Sequence, residues 1–343
     1  MAAQGDGRTS SSFLLYGSTG FVGSAIARLA VQQGLHPIVA GRDADKIKTQ
    51  ATELGVEYRV FRLDDAPAIE KALKEGAVVL HCAGPFIHTS KAIADACLRT
   101  GTHYLDITGE IPVYEALSAR DAEAKTSGVM LLPGVGFDVV PTDCLAAHLK
   151  QRLATASHLT LAFHSDGPAG LPPGTAKTMM EMIPYGTKVR RNGRLQDAPP
   201  GRKTRLIDFG HGPIQATLVS WGDVFMAYYS TGVPNIEDYA VLRERTVKPT
   251  DAAANRTPVG STPEQRALTR TSVWGEVEDE QGHKATSRLH GPEAGVDWTA
   301  MTALGAVKKV LAGKVQPGFQ TPSRVFGSEF VMEGEGVTRE DLG

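Results

Sequence analysis

The sequence predicts an α/β protein whose first part is a doubly wound parallel sheet, with helices on both faces. Short strand-like and helical segments trade places regularly from Leu14 to about Thr108, which is the pattern of successive βαβ units. That alternation opens on a strand-turn-helix. The apolar run Leu14-Leu15-Tyr16 stops at Gly17-Ser18-Thr19-Gly20-Phe21-Val22-Gly23, and apolar residues then recur at helical spacing at Val22, Ile26, Leu29 and Ala30. Segments 159–163, 215–220 and 224–229 alternate with the two-residue period of strands and predict an antiparallel sheet in a second domain.

The spacing G-x-x-G-x-x-G gives each glycine a task. Gly17 turns the chain, Gly20 removes a side chain where a pyrophosphate must approach, and Gly23 permits close helix packing. The following helix aims unpaired N–H groups and a positive dipole end at the phosphates. Gly17, Ser18, Thr19, Gly20, Phe21, Val22 and Gly23 are therefore candidate cofactor residues, although glycine turns of this kind also occur for structural reasons alone. The second strand, 37–40, ends in Gly41-Arg42-Asp43. An Arg there accommodates a 2′-phosphate, whereas an acidic residue accepts hydrogen bonds from the ribose. Arg42 thus favours NADP(H). Asp43 keeps NAD(H) as the alternative, unless it caps the next helix, for which Asp45 also qualifies.

A helix (44–54), a strand (58–62), a helix (66–74) and a buried strand (77–81) follow. The last strand runs into Cys82-Ala83-Gly84-Pro85-Phe86. Ligands of open parallel sheets sit beyond the carboxyl ends of strands, so Ala83, Gly84 and Pro85 should wall the cofactor. A helix at 89–99 leads to His103-Tyr104-Leu105-Asp106-Ile107-Thr108-Gly109-Glu110.

Length and composition set limits. A chain of 343 residues suits two lobes. Its 36 basic and 38 acidic side chains nearly cancel, and no basic block argues for nucleic acid or an anionic membrane. Three cysteines without C-x-x-C spacing argue against a disulfide framework and a zinc site, and the ten histidines form no metal motif. Residues 1–12 read as a disordered tail, and no apolar run is long enough to span a bilayer. These features lead us to expect a soluble, cytoplasmic protein acting on a small molecule.

Gly17–Gly23, Ala40-Gly41-Arg42, His81-Cys82-Ala83-Gly84-Pro85-Phe86, the segment from Thr102 to Glu110, and Pro133-Gly134-Val135-Gly136-Phe137-Asp138-Val139-Val140-Pro141-Thr142-Asp143 together resemble the saccharopine-dehydrogenase-like oxidoreductases. The similarity is greater to the branch that includes the trans-acting enoyl reductases. It is densest over 12–149, continues through Gly174–Thr178, Trp221-Gly222-Asp223 and Ser230–Pro234, and returns at 318–327. The resemblance implies a Rossmann-like NADP-binding domain with an inserted second α+β domain, the end of the chain returning to the first. Boundaries at 13–145 plus 296–343, and 146–295, express this. Elsewhere we expect helices over 140–153, after a turn near Thr175, and over 301–311. Segment 246–270 reads as a surface excursion, and 323–332 as a final strand. The family implies hydride transfer to or from a C=N or activated C=C bond. A cofactor-binding accessory protein, or a reductase that depends on a megasynthase partner, is the alternative, and a homodimer fits either.

With no metal, the cofactor would be the reactive element. No tyrosine has a lysine four residues on, which disfavours the short-chain dehydrogenase plan. Proton-handling candidates lie at carboxyl ends of strands. Tyr104 and Asp106 share a face, and Asp106 either serves the reaction or orders the following loop. Glu110 suits a helix start, Asp138 reaches the site or caps a helix near Pro141, and Lys177 pairs with a substrate carboxylate or faces solvent. His81, His88 and Cys82 read as structural.

Overall fold

In the computed structural model, which describes residues 12–199, 203–242 and 260–342, the glycine turn joins β1 (Ser12–Tyr16) to α1 (Phe21–Gln32). The alternation runs on through β2 (His36–Gly41), α2 (Ala44–Leu54), β3 (Tyr58–Val60), α3 (Ala66–Leu73), β4 (Val78–His81) and α4 (Phe86–Thr100). β5 (His103–Asp106), α5 (Ile111–Ser118), α6 (Asp121–Thr126) and β6 (Met130–Leu132) complete it. The expected tail before Ser12, and 243–259 of the expected surface excursion, lie outside the described residues.

With β15 (Gly318–Phe319) from late in the chain, these strands form a parallel sheet in the order β15-β6-β5-β4-β1-β2-β3. Order reverses at β1, so the crevice beyond the ends of β1 and β4 is a topological switch point, where such sheets bind ligands. Helices cover both faces. Accordingly Phe13, Leu15 and Val78 to Leu80 have no exposed surface, as continuous apolar strands of a parallel sheet should. α1 turns Ile26, Ala27 and Ala30 inward.

The second half contains α7 (Val140–Arg152), β7 (His158–Asp166), α8 (Pro173–Met182), the hairpin β8 (Lys188–Arg191) and β9 (Arg194–Asp197), β10 (Thr204–Asp208), β11 (Pro213–Val219), α9 (Asp223–Thr231) and β12 (Asn235–Ala240). After the undescribed stretch come α10 (Pro263–Ala267), β13 (Arg270–Glu278), β14 (Lys284–Gly291), α11 (Thr299–Leu311), β15 (Gly318–Phe319), α12 (Pro322–Phe326) and β16 (Thr338–Leu342). The second sheet runs β10-β11-β12-β7-β13-β14-β16, with β8 and β9 attached beside β12. It is mixed, because β12 pairs with β7 in parallel. The expectation of a purely antiparallel sheet is corrected to that extent.

α7 lies against this sheet. A Cβ on Gly275 of β13 would stand 2.6 Å from Leu149 Cδ1, so this position must be bare for the helix to seat. Most of α7 is buried, from Val140 through Ala146 and at Leu149. The C-terminal stretch serves both sheets: β15 extends the parallel one beside β6, and β16 pairs with β14 in the other.

Two element assignments are corrected. Residues 224–229 belong to α9 and not to a strand; Gly232, at φ +70, ends this helix in the left-handed region, which only glycine enters without strain. Val224, Phe225, Met226 and Ala227 are all buried, so no two-sided alternation exists to be read. Segment 323–332 is helical, and the last strand lies at Thr338–Leu342. Asp143 anchors α12 by accepting the Ser323 N–H at 2.7 Å.

Asp223 and Asp238 meet under the start of α9. Thr142 donates its hydroxyl to Asp223 Oδ1 at 2.7 Å, and Val224 N–H donates to Asp238 Oδ2 at 3.1 Å. The other oxygen of each carboxyl is buried without a partner among the described residues. Burial pushes both groups well above the usual carboxylate range, and the Asp238 charge adds to the shift at Asp223. A carboxyl raised on folding binds protons more tightly in the native state, so this contribution to stability is lost as pH rises above the ordinary aspartate value of about 3.9. Asp223→Asn should keep the Thr142 bond and relieve the repulsion. We expect it to stabilise the protein by about 1–2 kcal/mol at pH 8 and much less at pH 5, measured by urea unfolding; equal effects at both pH values would refute the account.

Candidate functional site

The glycine turn is held by contacts between backbones. Gly17, at φ +84, donates its N–H to Ala40 O at 2.8 Å. A Cβ there would stand 2.7 Å from Ala83 N, so the turn lies directly on the chain leaving β4. Gly23 is tighter still: its Cβ would stand 2.2 Å from Gly17 O. The role expected for Gly23, close packing of helix on sheet, is thus close packing of helix on the turn itself. At Gly20 a Cβ would meet only Gly17 O, at 3.2 Å, and its other side is open to solvent.

Ser18 faces inward. Its hydroxyl donates to Gln50 Oε1 at 2.7 Å, and Gln50 Nε2 returns a hydrogen bond to Ser18 O at 2.7 Å. The side chain therefore clamps the turn to α2, and its hydroxyl does not reach the crevice. Thr19 and Val22 are half-buried at the crevice, and Phe21 is exposed.

The start of α1 is bare. Gly20 is its N-cap, no side chain caps it, and the N–H groups of Phe21, Val22 and Gly23 have no partner among the described residues. Neighbouring helices are treated differently: Asp43 caps α2 through Lys46 N at 3.2 Å, and Asp65 caps α3 through Ala68 N at 3.1 Å. A helix start with free N–H groups, an adjoining bare glycine and a positive dipole end fits a pyrophosphate. Arg42 is exposed at the end of β2 and forms no ion pair among the described residues. With Asp43 engaged as a cap, the arrangement suits a 2′-phosphate better than a ribose diol. On the other side of the switch point, Ala83, exposed Gly84 and Pro85 line the turn after β4, and Gly84–Pro85 is a cis peptide. Thr89 Oγ1 fixes this turn by donating to Ala83 O at 2.7 Å and meeting His81 Nε2 at 3.0 Å. Burial pulls the His81 pKa down to about 3 and pushes the Cys82 thiol up, so neither ionises at neutral pH.

Four acidic or phenolic groups stand at the ends of β5 and β6, with different fates. Tyr104 and Asp106 are fully buried and bonded together, the phenol donating to Asp106 Oδ2 at 2.6 Å. Asp106 Oδ1 accepts Thr108 N–H at 3.0 Å and Gly134 N–H at 2.9 Å. Burial raises Asp106 to about 6 against these bonds. The pair proposed for proton handling thus presents no open face, and Asp106 ties the β5 loop to the β6 loop. Glu110 is positioned as the N-cap of α5, yet its carboxylate serves α4, accepting Phe86 N–H at 2.7 Å and Ile87 N–H at 2.6 Å. Sequence spacing could not show this, because the donors lie more than twenty residues upstream.

Asp138 is the exception. Half-buried, its carboxyl has no hydrogen-bond partner among the described residues, and the N-cap of α7 is Val139, which offers no capping side chain. The helix-capping reading of Asp138 therefore falls away. A Cβ on Gly109 would stand 2.7 Å from Asp138 Oδ2, so Gly109 makes room for it. Burial, then the Glu110 charge, raises Asp138 to about 7. From the connection between β11 and α9, Trp221 Nε1 donates to Asp138 O at 2.9 Å, and Gly222 passes against the Tyr114 ring. Lys177, on α8, is exposed and pairs with Glu181 at 3.9 Å, while His88 meets Glu181 at 2.7 Å.

Among the described residues no three His, Cys, Asp or Glu side chains gather as a metal site requires, and no helix is long and apolar enough to cross a membrane. The fold and the bare helix start define a dinucleotide-binding domain of the doubly wound class. Residues 13–132 match the saccharopine dehydrogenase NADP binding domain family. A trans-acting enoyl reductase of Mycobacterium leprae is 31% identical over 148 residues, covering 41% of this chain and 35% of that protein. A human saccharopine dehydrogenase-like oxidoreductase is 25% identical over 183 residues, covering 46% and 42% respectively. The matched regions therefore span well under half of these relatives. Apo saccharopine dehydrogenase (L-Glu forming) of Saccharomyces cerevisiae shares the fold, with a TM-score of 0.66, 13% identity and coverage of 97% of this chain and 100% of that one. The cofactor expected from Arg42, NADP(H), agrees with the family.

Glu110 gives a direct check on this arrangement. Glu110→Ala leaves two buried N–H groups of α4 unpaired and should cost about 2–4 kcal/mol, whereas Glu110→Gln, which retains an acceptor oxygen, should cost about half. Chemical denaturation measures both; a cost below about 0.5 kcal/mol for the alanine variant would contradict the capping role.

Proposed function

We propose that the protein is an NADP(H)-dependent oxidoreductase that transfers a hydride to or from a C=N or activated C=C bond of a small molecule. The observation that carries this reading is the uncapped start of α1, set on a side-chain-free turn at the switch point of the sheet. The family match supports the cofactor, and the likeness to a trans-acting enoyl reductase supports the C=C option.

Phe21, Val22 and Gly23 would hold the pyrophosphate through backbone N–H groups across the bare face of Gly20, and Arg42 the 2′-phosphate. Ala83, Gly84 and Pro85 would wall the nicotinamide half. When bound, the cofactor supplies or accepts the hydride. The chain's task is then to orient the substrate and handle one proton. We assign the proton to Asp138, the acid at these loops whose carboxyl has no partner among the described residues and whose pKa is raised to about 7, near the optimum for acid catalysis at neutral pH. Asp106, through Tyr104 and the two backbone N–H groups, holds the loops that carry Gly109 and Asp138 in register. Trp221 holds the Asp138 backbone from the other side.

A second reading is a reductase that works only with a partner enzyme, favoured by the trans-acting relative. The two are separated by assaying NADPH oxidation with the protein alone across cyclic imines and enoyl thioesters. Turnover on a free substrate favours the first reading.

The pH dependence has a definite sign. Reduction needs Asp138 protonated, so its rate should fall as pH rises through about 7, while the reverse oxidation should rise. Asp138→Asn should lower single-turnover hydride transfer by about a hundredfold and flatten this limb, with NADPH affinity unchanged. An unaltered rate and profile would remove Asp138 from the reaction.

A further inference from the structure

β2 and β3 are adjacent and end together at one side of the parallel sheet. Gly41 of β2 lies opposite Val60 of β3, and Phe61 N–H donates to Gly41 O at 3.0 Å. The next residues outward, Arg42 and Arg62, therefore leave neighbouring strand ends. Near both lies Tyr16, stacked on Phe61 with ring centroids 4.9 Å apart. Burial raises the Tyr16 phenol, and Arg42 and Arg62 both pull against that shift, so both cations bear on one spot.

Arg62 is exposed, and its ion pair is with Asp64, two residues along the same loop: Nε to Oδ1 is 3.2 Å and Nη2 to Oδ2 is 3.0 Å. Neither side chain supports the fold visibly. Asp65, not Asp64, caps α3, and an exposed pair of this kind contributes little to stability. What the pair does is hold a guanidinium just past the end of β3 while masking its charge.

We propose that Arg62 joins Arg42 in binding the 2′-phosphate of NADP(H), and that Asp64 sets the strength of that contact by competing for the Arg62 guanidinium. The proposal rests on the NADP(H) reading above. A phosphate dianion at the ends of β2 and β3 offers Arg62 a charge-assisted, bidentate partner stronger than a solvated carboxylate. Asp64 opposes this twice, by holding Arg62 and by repelling the phosphate. Because NADH lacks the 2′-phosphate, neither residue should affect its binding, and the selectivity of the site becomes a balance between three exposed side chains.

Calorimetric titration of the full chain with NADPH, NADH and adenosine 2′,5′-bisphosphate tests this. Arg62→Gln should weaken NADPH and the bisphosphate by about tenfold and leave NADH within about twofold. Asp64→Asn should tighten the two 2′-phosphate ligands by about two- to fivefold, an effect that disappears in the Arg62→Gln background. Since all these side chains are exposed, the variants should fold normally, and selectivity should fall as salt rises. If the wild type binds NADPH more tightly than NADH but Arg62→Gln leaves their ratio unchanged, Arg62 is not part of the site. If Asp64→Asn strengthens both dinucleotides alike, or neither, the competition is overturned. A wild type that binds NADH at least as tightly as NADPH would overturn the NADP(H) reading itself.

Discussion

The site depends on one steric constraint: three stretches of backbone meet with no side chain between them. Gly17 rests on the peptide leaving β4, and Gly23 rests on the Gly17 carbonyl. A methyl group at either position would overlap backbone that cannot move without opening the sheet. This contact fixes where α1 begins, and it brings the helix start to the crevice between β1 and β4. The N-cap, Gly20, carries no side chain, so the first N–H groups of α1 remain available to a ligand. The Ser18 and Gln50 clamp then locks the turn to α2 from below.

Around that crevice the carboxyl groups divide by the number of donors each one meets. Glu110 accepts two backbone N–H groups, and Asp106 accepts two together with a phenol. Such groups hold loops in place, because buried acceptors with full complements of donors gain little from a further partner. Asp138 is half-buried and meets no donor among the described residues, which favours the protonated acid near neutral pH. Placing it beside Gly109 and fastening its backbone with Trp221 links the first sheet's loops to the second sheet at the point where a proton would be needed.

Much of the parallel sheet was legible in the sequence because its signals are local. Alternating strands and helices, the glycine turn, Arg42 after β2 and the turn after β4 can each be read from a dozen residues. The sequence could not separate Asp106 from Asp138, since both lie at or beyond the ends of strands with a glycine two or three residues away; the difference lies in donors supplied by Tyr104, Thr108 and Gly134. Glu110 looked like the start of its own helix because the helix it caps lies upstream. In the second half, Val224–Ala227 offered four consecutive apolar residues, a pattern that length and flanks alone assign poorly. Tertiary burial of α9 decided it. Strand β16 was missed because five mostly polar residues at a sheet edge carry no hydrophobic period.

The most direct test of the central claim is a crystal structure of the protein with NADPH. The account requires the pyrophosphate to accept hydrogen bonds from the N–H groups of Phe21, Val22 and Gly23 across the face of Gly20, with the 2′-phosphate at Arg42 and the nicotinamide on the Ala83 and Asp138 side. A dinucleotide bound elsewhere, or one whose pyrophosphate does not touch the start of α1, would contradict it.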